Sequence, residues 1–257
     1  MDWQAIAAML SGSGVGFLLG LLGGGGSVLA VPLLLYFVGV PNAHFAIGTS
    51  ALGVSVNAAA NLLGHAQRGT VKWPCALAFA FAGIAGAALG SSLGKLTDPE
   101  PLTLLFALAM VAVAISMWRG KGGEGIADVS LTPKIAMRLI PIGLVVGAAS
   151  GFFGIGGGFL IVPGLILGAR MPMLNAVGSS LLAVALFGAT TAANYAMSGF
   201  VLWDIAGWMI LGGIAGGALG VFASRRLATQ RALLQRIFAG FVMLVAIYVG
   251  ARASGVF

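Results

Sequence analysis

The 257-residue chain is 60% hydrophobic and 7% charged, with a net charge of +7, 42 glycines and one cysteine. Soluble domains carry about 25% charged residues, so a chain with a mean hydropathy of +1.07 could not cover its own surface in water. The positive charge does not point to nucleic acid, because Lys and Arg fall in short gaps between apolar runs, where membrane-orientation signals belong.

Runs of about 20 apolar residues, enough to cross a bilayer, recur along the chain. In the first half, apolar segments fall near 3–22, 27–40, 42–63, 73–94 and 101–118. The polar stretch "RGKGGEGIADVSLTPKIAMR" follows, and the second half runs near 137–153, 158–169, 173–197, 201–223 and 232–251. The domains expected are a first unit at 1–118, a cytoplasmic linker at 119–136 and a second unit at 137–257. The first run starts directly behind Asp2 without a basic stretch, which predicts an uncleaved helix. Cys75 lies in an apolar run and reads as a small packing residue. The second segment of each half is too short for a comfortable span. It is either a short tilted helix or one arm of a re-entrant hairpin, giving about eight to ten transmembrane helices.

The halves are copies of one unit. "GSGVGFLLGLLGGGGSVLAVP" (12–32) aligns with "GLVVGAASGFFGIGGGFLIVP" (143–163), placing Gly12, Gly16, Gly20 and Gly23 on Gly143, Gly147, Gly151 and Gly154. After one residue drops out, "AIGTSAL" (46–52) pairs with "AVGSSLL" (176–182), and "RGTVKW" (68–73) with "SGFVLW" (198–203). "AGIAGAALG" (82–90) then pairs with "GGIAGGALG" (212–220). Each copy crosses an odd number of times, so tandem copies have inverted topology. With both termini outside, only Lys95 and Arg252 of the thirteen Lys and Arg lie outside, a strong positive-inside bias.

The expected fold is therefore an all-α polytopic membrane protein of two inverted-topology repeats, with short glycine-broken helices near the midplane. Such repeats are the hallmark of secondary transporters, whose sites lie where interrupted helices meet. The breaks are "GGGGS" (Gly23, Gly24, Gly25, Gly26, Ser27) and "GIGGG" (Gly154, Ile155, Gly156, Gly157, Gly158). Unwound backbone in hydrocarbon must be buried in protein or line a cavity. Helices starting near Ser27 and Phe159 would offer free N–H groups and positive dipole ends to an anion. Inversion is expected to bring these two starts together as a clamp. The four-residue spacing of Gly12, Gly16, Gly20 and of Gly143, Gly147, Gly151 reads instead as close helix packing.

Polar residues recur at matched positions in both halves: Thr49, Ser50, Asn57 and Asn61, and Ser179, Ser180, Thr190, Thr191 and Asn194. Each serves either as glue between helices or, as a set, as the lining of a solute path. All six acids lie in loops or at segment ends, which disfavours a cation substrate. His44 and His65, the two histidines, read as interfacial residues. Two distant histidines and one cysteine form no catalytic or metal-binding constellation. Neither enzyme activity nor a cofactor is expected, and the partners expected are a small anionic solute and the lipid bilayer.

A glycine-rich break, then V-P, then a G-T/S-S segment, present twice, resembles the TauE/SafE sulfite exporter family. The resemblance runs from about Gly12 to Gly250 through "GLLGGGGSVLAVPLL", "AIGTSALGVSVNAAAN", "GFFGIGGGFLIVPGL" and "VGSSLLAV". It implies transport of a small sulfur-containing anion, such as sulfite or an organosulfonate, in a cell inner membrane. An alternating-access exporter or facilitator, an anion channel and a carrier of another small organic anion remain open, as does the oligomeric state.

Overall fold

A computed structural model describes residues 2–119, 129–154, 158–226 and 231–253. Among these residues every regular element is helical. The chain runs through α1 (Trp3–Leu22), a 3-10 stretch (Gly23–Leu29), one turn of α2 (Ala30–Pro32) and a π stretch (Leu33–Val38). It continues as α3 (Ala43–Ala66), α4 (Trp73–Leu96), α5 (Pro99–Arg119), α6 (Pro133–Phe153) and α7 (Gly158–Ala169). The last three helices are α8 (Met173–Ala196), α9 (Trp203–Arg226) and α10 (Arg231–Ala253).

Among the described residues, six helical stretches are long and apolar enough to cross a membrane. Leu89, Leu96, Leu167, Leu219 and Leu244 face outward, an apolar surface that suits lipid and not water. The chain is a multi-pass helical membrane protein. Exposed Trp3 and Trp203 begin α1 and α9, while exposed Trp73 and Trp118 mark the other end, as in the aromatic belts of membrane proteins.

Glycine decides which helices touch. A Cβ on Gly12 or Gly16 would collide with the carbonyls of Met209 or Gly213. From the other side, Gly212, Gly216 and Gly220 lie against the carbonyls of Met9, Ser13 and Phe17. The numbers rise together, so α1 and α9 run parallel in backbone contact. The same reciprocal arrangement joins α6 to α4: Gly143, Gly147 and Gly151 against Phe79, Gly83 and Ala87, with Gly86, Gly90 and Gly94 against Leu144, Ala148 and Phe152. Lipid tails give no hydrophobic drive for helix association, so this close van der Waals packing supplies the adhesion.

At the centre, α3 and α8 run antiparallel. Gly48 meets Tyr195, Gly188 meets Ala51 and Ser55, and Gly178 meets Thr70. Ser55 Oγ donates to Ala185 O at 2.7 Å across the middle of the pair. The pair α5 and α10 is also antiparallel, Gly250 lying near Ala107 and Gly240 near Trp118.

The two short segments are return arms. The Phe37 ring lies 5.8 Å from that of Trp3, and Gly26 abuts Leu18, so residues 23–38 fold back along α1. Likewise Gly164 and Gly168 abut Ile142 and Leu139, laying α7 back along α6. The break is also narrower than an unwound GGGGS. Gly23, at φ +70° and ψ −146°, ends α1 in a positive-φ conformation open to glycine and strained for other residues, and helical backbone of the 3-10 type resumes at once.

Candidate functional site

The positive-φ glycines that open the two breaks, Gly23 and Gly154, lie apart. Gly23 packs against Val177 near the start of α8, whereas Gly154 packs against Ile47 near the start of α3. Gly48, the next residue of α3, lies against Tyr195 at the far end of α8. Val177 and Tyr195 are separated by roughly 25 Å of helix at 1.5 Å per residue. Gly23 and Gly154, the residues that end α1 and α6, therefore lie at opposite ends of α8, while α7 packs against the 3-10 stretch that begins at Gly23. Each of α1 and α6 completes a span of about 30 Å before its break, so each break falls at the far end of its helix.

At the first break, Gly23 to Ser27 are all buried. The Gly24 N–H donates to Ser180 Oγ at 3.1 Å, and Ser180 Oγ donates to Val177 O at 2.7 Å. Ser27 Oγ donates to Gly24 O at 2.9 Å. A Cβ on Gly26 would strike Leu18, and one on Gly23 would strike Ser180 and Val177. Gly25 differs: among the described residues nothing comes within 4 Å of a Cβ added there. This buried glycine faces open space.

At the second break, Gly154 takes φ +66° and Gly158 opens α7. Gly156 and Gly157 lie outside the described residues, as does Ile155. Five polar side chains form one network at this end. Lys95 Nζ donates to Asn194 O, Asn194 Oδ1 and Ser198 Oγ at 3.0, 2.7 and 2.9 Å. Asn194 Nδ2 in turn donates to Ser91 Oγ and Ser92 Oγ. The Tyr195 ring lies 6.2 Å from His44, and its hydroxyl reaches Gly94, one residue from Lys95.

Most of the other candidate side chains bond to backbone. Ser179 Oγ accepts the Lys72 N–H at 2.9 Å, and its counterpart Thr49 Oγ1 accepts the Leu202 N–H at 3.0 Å. Each thereby secures the residue before the next helix, α4 or α9. Ser50 Oγ donates within its own helix to Ile47 O. Asn57 Nδ2 donates to Met209 O and Asn61 Nδ2 to Gly16 O, both at 3.3 Å, fastening α3 to α9 and α1. Buried Thr191 Oγ1 and Asn57 Oδ1 have no hydrogen-bond partner among the described residues. The same holds for Tyr195 OH, Ser150 Oγ, Ser11 Oγ and His44 Nδ1.

The sequence reading passed over Lys95 and Tyr195. One signal was present: with the one-residue deletion, Tyr195 aligns with His65. His65 Nε2 donates to Gly20 O at 3.1 Å, and its Nδ1 lies 3.2 Å from Thr70 Oγ1, whereas Tyr195 finds no such partner among the described residues. A separate cleft of about 640 Å3 opens beside Asp2, Gln4, Pro41, Trp203, Asp204 and Trp208, and its two carboxylates make it a poor seat for an anion.

The family profile described as "Sulfite exporter TauE/SafE" matches residues 8–249. The chain belongs to the TauE/SafE family. It is 54% identical over 245 residues to a probable membrane transporter protein of Xylella fastidiosa strain Temecula1, covering 95% of this chain and 94% of the relative. The probable membrane transporter protein YunE of Bacillus subtilis is 28% identical over 246 residues, covering 88% and 89%. A probable membrane transporter protein of Haemophilus influenzae is 30% identical over 211 residues, covering 79% and 75%. No solved structure matches the chain. Family and relatives make this TauE/SafE protein a membrane transporter.

Proposed function

We propose that this transporter exports, or lets pass, a small sulfur-containing anion such as sulfite or an organosulfonate. The observation that carries the reading is the open space beside buried Gly25. There a compact solute can touch backbone directly, because no side chain stands between. Gly23, Gly24, Gly26, Ser27 and Ser180 form the walls of this seat. Gly154 and Gly158, with Thr191 and Asn194, form its counterpart at the other end. Thr49, Ser179, Asn57 and Asn61 hold the helices that carry both, and Ser50, the counterpart of Ser180, belongs to the second seat.

The halves act as inverted repeats in a cell inner membrane, with both termini outside. One break then serves each side of the membrane, which suits alternating access. An inside-negative potential favours anion export by about 2.3 kcal/mol per charge per 100 mV, so efflux needs no intramembrane carboxylate. The family description supports a sulfur species as cargo. The test is radiolabelled sulfite flux in proteoliposomes under a valinomycin-set potential, with sulfate, taurine and sulfoacetate as competitors. Saturable flux that follows the potential supports the reading. Protein-dependent flux of none of these anions contradicts it.

A further inference from the structure

We propose that Lys95, Tyr195 and His44 form an oxyanion-recognition site at the Gly154 end of the transporter, separate from the seat at Gly25. The inference rests on the reading of the protein as an anion carrier and names residues that select the anion at one mouth.

Lys95 is the foundation. Its three ammonium protons go to a backbone carbonyl, an amide oxygen and a hydroxyl, so its charge is met by dipoles and by no carboxylate among the described residues. A half-buried cation held in this way keeps its attraction for an anion, which low local dielectric strengthens. Asn194 fixes the position of the ammonium because its own amide is anchored on Ser91 and Ser92. Ser198, the third acceptor, sits at the exposed edge of the network. An anion oxygen can take its place and form a charge-assisted bond.

Two further donors converge on the same end from different helices. The Tyr195 hydroxyl is fully buried and lacks a partner among the described residues. It lies beside Gly94, whose missing side chain leaves room for it. His44 is 7% exposed, and its Nδ1 lacks a partner too; a neutral imidazole can carry its proton on either nitrogen. A buried polar group without a partner is costly, and an oxyanion with several lone pairs satisfies both at once. Thr191, another buried hydroxyl without a partner among the described residues, lies one turn before Tyr195 on the same face of α8 and extends the polar line inward.

The test is limited acetylation of lysines in the full-length protein in detergent, read by peptide mass spectrometry, with sulfate or methanesulfonate as the probe anion. Anion at twice its Kd is expected to slow acetylation of Lys95 about threefold by mass action, leaving exposed Lys134 unchanged. Tyr195→Phe is expected to weaken that protection. Lys95 acetylation indifferent to both anions, or protection undiminished in Tyr195→Phe, would overturn the proposal. This measurement needs no transport, so it decides the site even if sulfite flux fails. Where flux is present, Lys95→Gln is expected to raise the sulfite KM about tenfold with kcat retained, and Lys95→Arg to restore it. An unchanged KM in Lys95→Gln contradicts the site.

Discussion

Gly24 and Ser180, 156 residues apart in sequence, are joined by a 3.1 Å hydrogen bond in which the glycine amide donates to the serine hydroxyl. That bond ties the first glycine break to the central helix α8. Ser180→Ala leaves a buried N–H without a partner and is expected to destabilise the protein by about 1–3 kcal/mol, seen as a lower Tm in detergent. Ser50→Ala is the matched control, since Ser50 bonds only within its own helix. Equal Tm values for the two variants would show that the tie is energetically idle.

The glycine contact between α1 and α9 predicts a sharp contrast between near neighbours. A methyl on Gly16 strikes the Gly213 carbonyl, whereas one on Gly14 meets nothing within 4 Å. Gly16→Ala is expected to lower stability by about 1–3 kcal/mol, the range for overpacking a close contact. Gly14→Ala is expected to be neutral or slightly stabilising, because alanine is the better helix former. Thermal unfolding of the two variants side by side checks this.

Thr49 and Ser179 hold equivalent backbone amides, those of Leu202 and Lys72. Thr49→Val and Ser179→Ala are each expected to cost about 1 kcal/mol for the lost hydrogen bond. Hydrogen exchange should quicken at the start of α9 in the first variant and of α4 in the second. Exchange confined to α3 or α8 would contradict this role.

Much of the fold was legible in the chain. The segment at 3–22 coincides with α1, and the glycine spacing of Gly12, Gly16 and Gly20 signalled close packing that the structure bears out. What the pattern could not carry was the partner. Periodicity marks the small face of α1 but does not say that α9, of the other half, covers it. The same limit applied to the site. Thr49 and Ser179 read as polar lining because their backbone partners lie 153 and 107 residues away. The depth of each break was not legible, because a glycine run signals a break without saying how deep it lies. The full length of α1 and α6 ahead of them decided that.

The most direct test of the transport reading is Gly25→Ala, measured for both stability and sulfite flux in proteoliposomes. Gly25 is not among the left-handed glycines, and its Cβ position is open. The fold should therefore keep its Tm or gain up to about 1 kcal/mol from helix propensity. The methyl would occupy the space assigned to the solute, so flux is expected to fall at least about tenfold, the equivalent of 1.4 kcal/mol. Stability and flux both at the unmodified protein's level would contradict a solute seat at the first glycine break.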